Sequence, residues 1–267
     1  MLCFLATYDK EDAMGRSFAD RPDYGNWVSK KFIYIPGAIS LLFFGISFAF
    51  PALIVVAVIF LLVALYFAYA GYRFSPAGGD VQTQIQELVL KHLDWNGKGK
   101  GLEIGCGNGP LTIKLAKKYP EAQITGIDYW GEMWEYSKSL CERNAKIEGV
   151  AQRVRFQKVS ASDLPFGDEC FDVAVSNLVF HEVRDTKDKR AVIREALRVV
   201  KKEGRFAFQD LFLLKRVYGK TDDLLATVRS WGITKIEFVK TADSAFIPRM
   251  LKLPFMVGTI GILYGEK

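Results

Sequence analysis

Gly101-Leu102-Glu103-Ile104-Gly105-Cys106-Gly107-Asn108-Gly109-Pro110 is the stretch on which the reading of the fold turns. Residues 101–104 read as a short strand, and the glycines lead into a helical run carrying Leu111, Ile113, Leu115 and Ala116. A strand-to-helix turn built on glycines lets the backbone approach a ligand closely at the carboxyl edge of a sheet. Dinucleotide sites favour G-x-G-x-x-G, whose last glycine would fall at Pro110. The spacing here is G-x-G-x-G with an acid before it at Glu103, which favours a ligand without a pyrophosphate and disfavours a nicotinamide oxidoreductase. The next strand, 123–128, ends in Asp128, where a carboxylate can take both hydroxyls of a ribose.

Working outward, the alternation continues. Asp80 can cap a helix carrying Val81, Ile85, Leu88, Val89 and Leu93 at helical period. After the second strand come a helix near 133–146, strands 154–159 and 171–176, a helix over 187–200 and a strand over 204–210. A helix around 224–231 and strands 235–241 and 259–265 close the chain. Strands alternating with helices argue for a parallel sheet covered on both faces. The fold expected for residues 74–267 is α/β, a doubly wound, mostly parallel seven-stranded sheet.

Upstream the character changes. From Phe32 to Tyr72 there is no Asp, Glu, Lys, Arg or His, a run of 41 residues flanked by Lys30, Lys31 and Arg73. A hydrocarbon core of ~30 Å takes about 20 helical residues, so the run fits two spans. Pro51 divides it, giving a two-helix membrane hairpin with spans about 32–49 and 51–72 inside a segment 32–73. A core helix would still show a polar face, and a signal peptide would begin earlier and be shorter. The basic flanks place both termini and the downstream domain on the cytoplasmic side of the membrane. Trp27, Tyr34, Tyr66, Tyr69 and Tyr72 lie at the outer ends as interfacial anchors, and residues 1–31 read as a short cytosolic arm.

The 267 residues carry a net charge of +6, half are apolar and a quarter charged, which excludes a disordered or disulfide-scaffold protein. The basic excess forms no stripe, so no nucleic-acid partner is expected and an anionic bilayer surface is. Cys3, Cys106, Cys141 and Cys170 form no C-x-x-C pair and have no metal-ligand spacing with His92 and His181, so no metal is expected.

Residues 80–265 resemble the class I S-adenosylmethionine-dependent methyltransferases, in particular those acting on small molecules and lipids. Leu102–Gly109 looks like the family's first motif, and Ile124-Thr125-Gly126-Ile127-Asp128 like its second strand. Leu164-Pro165-Phe166, Phe171-Asp172-Val173-Ala174 and the run from Leu197 to Gly204 match three later stretches in order. The resemblance implies a Rossmann-like methyltransferase with S-adenosylmethionine as cofactor. It implies that Gly105, Cys106, Gly107 and Gly109 line the methionine portion, with Glu103 orienting the amino group, Asn177 nearby and Asp128 holding the ribose. Tyr129 and Trp130 would pack against adenine or face the sulfonium, where an aromatic face attracts a cation, although core packing suits them equally. One departure stands out: where the family has Gly-Asp-Ala after the third strand, this chain has Val159-Ser160-Ala161. Adenine recognition would then rest on Ser160, the Ala161 backbone or Asp163.

Methyl transfer from a sulfonium is an in-line displacement, and a base is needed only where the acceptor must lose a proton. His181, just past the fourth strand, is the candidate base, with Asp210 at the end of the fifth strand as the second candidate. The apolar, basic stretch 244–256 either covers the core or closes a pocket facing the bilayer. The function expected is a membrane-anchored methyltransferase of a hydrophobic or lipid-like acceptor. A methyltransferase of a soluble small molecule and a non-catalytic S-adenosylmethionine-binding membrane protein are the alternatives. Whether O, N or C is methylated stays open.

Overall fold

The computed structural model of the chain describes residues 21–131 and 136–267. A seven-stranded sheet is ordered β3-β2-β1-β4-β5-β7-β6, from β1 (Gly99–Ile104), β2 (Ala122–Asp128), β3 (Val154–Lys158), β4 (Phe171–Asn177), β5 (Val200–Asp210), β6 (Lys235–Lys240) and β7 (Gly261–Glu266). Strands β1 to β5 pair in parallel, and β7 runs antiparallel to both β5 and β6. Period-two alternation sorts the side chains between two cores: on β4, Ala174 joins one, and Val173 and Val175 join the other. Helices α6 (Lys189–Arg198) and α8 (Thr221–Arg229) cover the first face, the latter following the short α7 (Lys215–Tyr218). Helices α3 (Val81–Lys91), α4 (Pro110–Lys118) and α5 (Lys138–Ile147) cover the second. The doubly wound, mostly parallel sheet expected from the alternation is the one observed.

The differences are local. Helix α5 begins at Lys138, capped by Ser137, whose hydroxyl accepts from Leu140 N at 3.2 Å; residues 132–135, where its start was expected, lie outside the described residues. Asp80 is not the side-chain cap of α3. It adopts φ 52° and makes no capping hydrogen bond, while Gln84 Nε2 donates to Gly79 O at 2.7 Å in the first turn.

Ahead of the sheet, α1 (Lys31–Ser47) and α2 (Ile54–Phe74) form an antiparallel pair joined by a 3-10 turn at Pro51–Leu53. Ser40 Oγ donates to Ala57 O at 2.8 Å between them, and Phe32 stacks on Phe67 with ring centroids 5.2 Å apart. Of the two helices, only the second, Pro51–Phe74 with its 3-10 turn, is long and apolar enough to cross a membrane, and 11% of its most apolar window is buried. Helix α1 has 17 residues, so the pair of full spans expected from the uncharged run is one long helix and one shorter apolar helix.

Residues 21–30, expected as part of a short cytosolic arm 1–31, are held against the rest of the chain, and residues 1–20 lie outside the described residues. Asp23 N donates to Asn144 Oδ1 at 2.9 Å and Asn144 Nδ2 returns to Asp23 O at 2.8 Å, fixing this segment to α5. Trp27 N donates to Gln82 Oε1 at 2.9 Å on α3, and Asn26 Nδ2 donates to Gly71 O at 2.9 Å on α2. The segment is thus a strap from α5 to the hairpin. A third buried cluster joins Val28, Ala70 and Phe74 to Val81 and Ile85 of α3, and to Ile247, Leu251, Val257 and Ile260 of the β6–β7 connection.

Candidate active site

The strand order reverses between β1 and β4, and the crevice beyond their carboxyl ends is where an open α/β sheet holds its ligand. A cavity of about 1190 Å³ opens there, lined by Glu103, Gly105, Cys106, Gly107, Asp128, Tyr129, Trp130, Ser160, Ala161, Asn177 and His181. Gly109 and Asp210 sit behind this wall, Gly109 as the residue before α4 and Asp210 fully buried at the end of β5.

The glycine turn is held in place by β2. Gly105 N and Cys106 N both donate to Ile127 O, at 2.7 and 2.9 Å. Gly105 has φ 75°, and a Cβ there would collide with the Val179 side chain, so the position admits no other residue without rearrangement. Asp128 accepts from Gly107 N through Oδ2 and from Trp130 N through Oδ1, each at 2.8 Å. Trp130 Nε1 returns to Gly107 O at 2.8 Å, so this indole clamps the glycine turn. Tyr129 is 65% exposed with the Lys158 ammonium 5.4 Å from its ring centroid. Two bulky residues on the rim, Trp130 at φ 42° and Leu178 at φ 59°, hold left-handed backbone, a strain of about 1–3 kcal/mol each that collects at functional sites.

Glu103 is buried and accepts from Thr112 Oγ1. Burial pushes its carboxyl up to about 8, against the lowering effect of the Thr112 contacts. The Asn177 Oδ1 atom is buried with no hydrogen-bond partner among the described residues. A buried acid and an orphan acceptor facing one cavity fit a ligand that brings a cationic amino group, and Asp128 at its strand end fits vicinal hydroxyls.

Farther along the same edge, His181 Nδ1 lies 2.7 Å from Asp210 Oδ1, and His181 Nε2 lies 3.3 Å from Glu182 Oε1. Asp210 Oδ1 also accepts from Leu211 N at 2.6 Å, which fixes the carboxylate. Burial acts to lower the imidazole, but Asp210 and Glu182 outweigh it and hold the ring at about 9. The two candidates named separately from the sequence therefore form one pair.

Of the three groups expected to serve adenine, Ser160 and Ala161 line the cavity. Asp163 is exposed and does not line the cavity. Ser160 Oγ donates to Asp185 Oδ2 at 2.6 Å, and Ser162 Oγ donates to the same oxygen at 2.5 Å. Asp185 comes from the loop after His181 and has no motif around it, so sequence reading missed it. Elsewhere in the cavity, Trp27 and Val28 of the strap and Phe32, Phe67 and Phe74 of the hairpin, which sequence reading missed, form an apolar wall with Phe255 and Met256 of the stretch 244–256. Among the described residues no group of three or more His, Cys, Asp or Glu could hold a metal.

A methyltransferase-domain family model matches residues 102–208, from β1 into β5. An O-methyltransferase of Aspergillus nomiae, rstn1, is 31% identical over 202 residues, covering 67% of this chain and 85% of that protein. The ubiquinone/menaquinone biosynthesis C-methyltransferase UbiE of Geotalea daltonii is 28% identical over 139 residues, covering 50% of this chain and 56% of that one. The fold matches the crystal structure of geranyl diphosphate C-methyltransferase from Streptomyces coelicolor with a TM-score of 0.54 at 13% identity, covering 70% of this chain and 79% of that chain. The chain belongs to the class I S-adenosylmethionine-dependent methyltransferases. S-adenosylmethionine supplies a methyl group on a sulfonium and leaves as a neutral thioether. With the cofactor bound in this cavity, Glu103 and Asn177 would be the residues available to its amino group and Asp128 the one available to its ribose, with His181 lining the same cavity and Asp210 behind it.

Proposed function

We propose that the protein is a membrane-anchored methyltransferase that methylates a hydroxyl of a hydrophobic or lipid-like acceptor. The observation that carries this reading is the continuity of one cavity from the glycine turn to the apolar wall built by Phe32, Phe67, Phe74, Phe255 and Met256. A chamber whose far wall is the base of an apolar hairpin suits an acceptor that enters sideways from a bilayer. Exposure of the hairpin supports the anchoring: Leu41 is 73% exposed, Phe48 80% and Leu62 60%, which is far more apolar surface than water tolerates on a monomer. On this reading the hairpin dips into the membrane with both termini and the catalytic domain on the cytoplasmic side, as Lys30, Lys31 and Arg73 at its base favour. Oxygen as the target is favoured by the His181–Asp210 pair and by the O-methyltransferase name of the 31%-identical relative.

The test is to reconstitute the full chain in phospholipid vesicles with methyl-labelled S-adenosylmethionine and a total lipid extract. Label recovered in base-stable ether lipids or apolar ethers supports the reading. Label confined to water-soluble acceptors added in parallel removes it.

A further inference from the structure

We propose that Asp185 supplies the carboxylate that accepts from the 6-amino group of the cofactor's adenine, in place of the acid missing at position 160. With the ribose at Asp128, the adenine joined to it would lie against the neighbouring wall of Val159, Ser160 and Ala161, which Val159 N, donating to Asp128 O at 3.0 Å, ties to that strand end. An exocyclic amine against that wall needs an acceptor. Ser160 offers only a neutral hydroxyl oxygen, and its proton is directed at Asp185, which carries the charge. Ser162 adds a second hydroxyl to the same oxygen, Oδ2, which leaves Oδ1 outside both contacts and Asp185 lining the cavity. Two short hydroxyl contacts fix an exposed side chain that would otherwise rotate freely, and they hold its carboxyl below the usual carboxylate range, so it is charged at neutral pH. The function of the acid is thereby moved from β3's end to the β4–α6 loop, 25 residues along the chain.

This relocation has a consequence for the reaction. Asp185 and His181 belong to one loop, so gripping adenine at one end of it positions the His181–Asp210 pair at the other. Binding of the cofactor and readiness of the base become linked through four residues of backbone.

The experiment compares the full-length protein's affinity for S-adenosylhomocysteine with that for its inosyl analogue, in which a carbonyl oxygen replaces the 6-amino group, by titration calorimetry. The wild-type chain is expected to favour the adenosyl form by roughly 10- to 100-fold, the scale of a charge-assisted hydrogen bond. In Asp185→Ala that preference should collapse toward unity. In Asp185→Asn, whose amide can donate to the inosyl oxygen, it should fall or invert. Ser160→Asp should weaken adenosyl binding, because two carboxylates then crowd one site, whereas Ser160→Asp combined with Asp185→Ala should restore the preference. Full discrimination retained in Asp185→Ala and Asp185→Asn proteins that melt like the wild type would overturn the assignment.

Discussion

Glu103 has one hydroxyl partner, Thr112, and a folded-state value near 8 set first by burial. Because that value lies above the ordinary 4.5, Glu103's own contribution favours the cofactor-free fold most at acid pH. That contribution should decline as pH climbs from about 4.5 and level off above about 8. Glu103→Gln should flatten that slope in melting curves between pH 5 and about 9, while weakening S-adenosylhomocysteine binding. In the wild type, binding at neutral pH should release a proton as the ligand's amino group draws Glu103 into its charged form. Calorimetry in buffers of different ionisation enthalpy reads this directly, and the Gln variant should lack it. His181 has the opposite logic: held at about 9 by Asp210 and Glu182, it is protonated at neutral pH and becomes a base as pH rises. The pH profile of kcat/KM should therefore climb through about 9. Asp210→Asn should move the rise to lower pH, and His181→Ala should lower kcat by ~100-fold or more while leaving cofactor affinity intact. Asp128→Asn should weaken cofactor binding by ~1.5–3 kcal/mol, since its carboxylate serves the glycine turn as well as the ribose.

At the scale of elements, the β6–β7 connection is less a loop than the partner of the hairpin. Tyr66 Oη of α2 donates to Met250 O at 2.9 Å, and its ring meets Phe255 with centroids 5.7 Å apart. Tyr66, expected as an interfacial anchor, is thus engaged by the domain, and Trp27, expected as another, packs against Phe74 of the hairpin at 5.6 Å. Tyr34 and Tyr72 are the ones left facing outward, 68% and 56% exposed. Met250 and Phe255 are 54% and 65% exposed beside Arg249 and Lys252, an apolar lip with basic flanks at the base of the hairpin. Met250→Asp combined with Phe255→Asp should lower binding to anionic vesicles and turnover of an apolar acceptor, with S-adenosylhomocysteine affinity unchanged. Sedimentation with vesicles and calorimetry on the same preparation separate the two effects.

For the whole molecule, the hairpin base shares a buried cluster with α3 and the β6–β7 connection, so a cut at residue 74 does not free an intact catalytic domain. It strips Val28 and Ala70 from Phe74, Val81, Ile85, Leu251 and Ile260. Deleting residues 1–73 should lower the melting temperature and cause aggregation, measurable by light scattering. Replacing exposed hairpin residues such as Leu41 and Leu62 by Ser should leave the melting temperature nearly unchanged. Tags on both termini of the full chain in sealed membranes should be digested together from the cytoplasmic side. Protection of one and cleavage of the other would remove the hairpin topology.

Local chemistry determined much of this protein from the sequence alone. The strand alternation, the turn from Gly105 to Gly109 and the acid closing β2 are each specified by neighbours in the chain, because period, φ angle and turn geometry are short-range properties. The sheet and the common edge of Gly105, Asp128, His181 and Asp210 were legible for that reason, while the cofactor class was read from the family resemblance those motifs carry. Three features were decided by tertiary structure. The strap 21–30 has no period of its own and is shaped by side chains it meets on α2, α3 and α5. The pairing of His181 with Asp210 depends on β4 and β5 lying side by side. Asp185 gains its place when two serines from the β3 end reach it across the crevice. Each joins groups distant along the chain, and a contact of that kind has no local signature, since its geometry exists only after the sheet has brought the strand ends together.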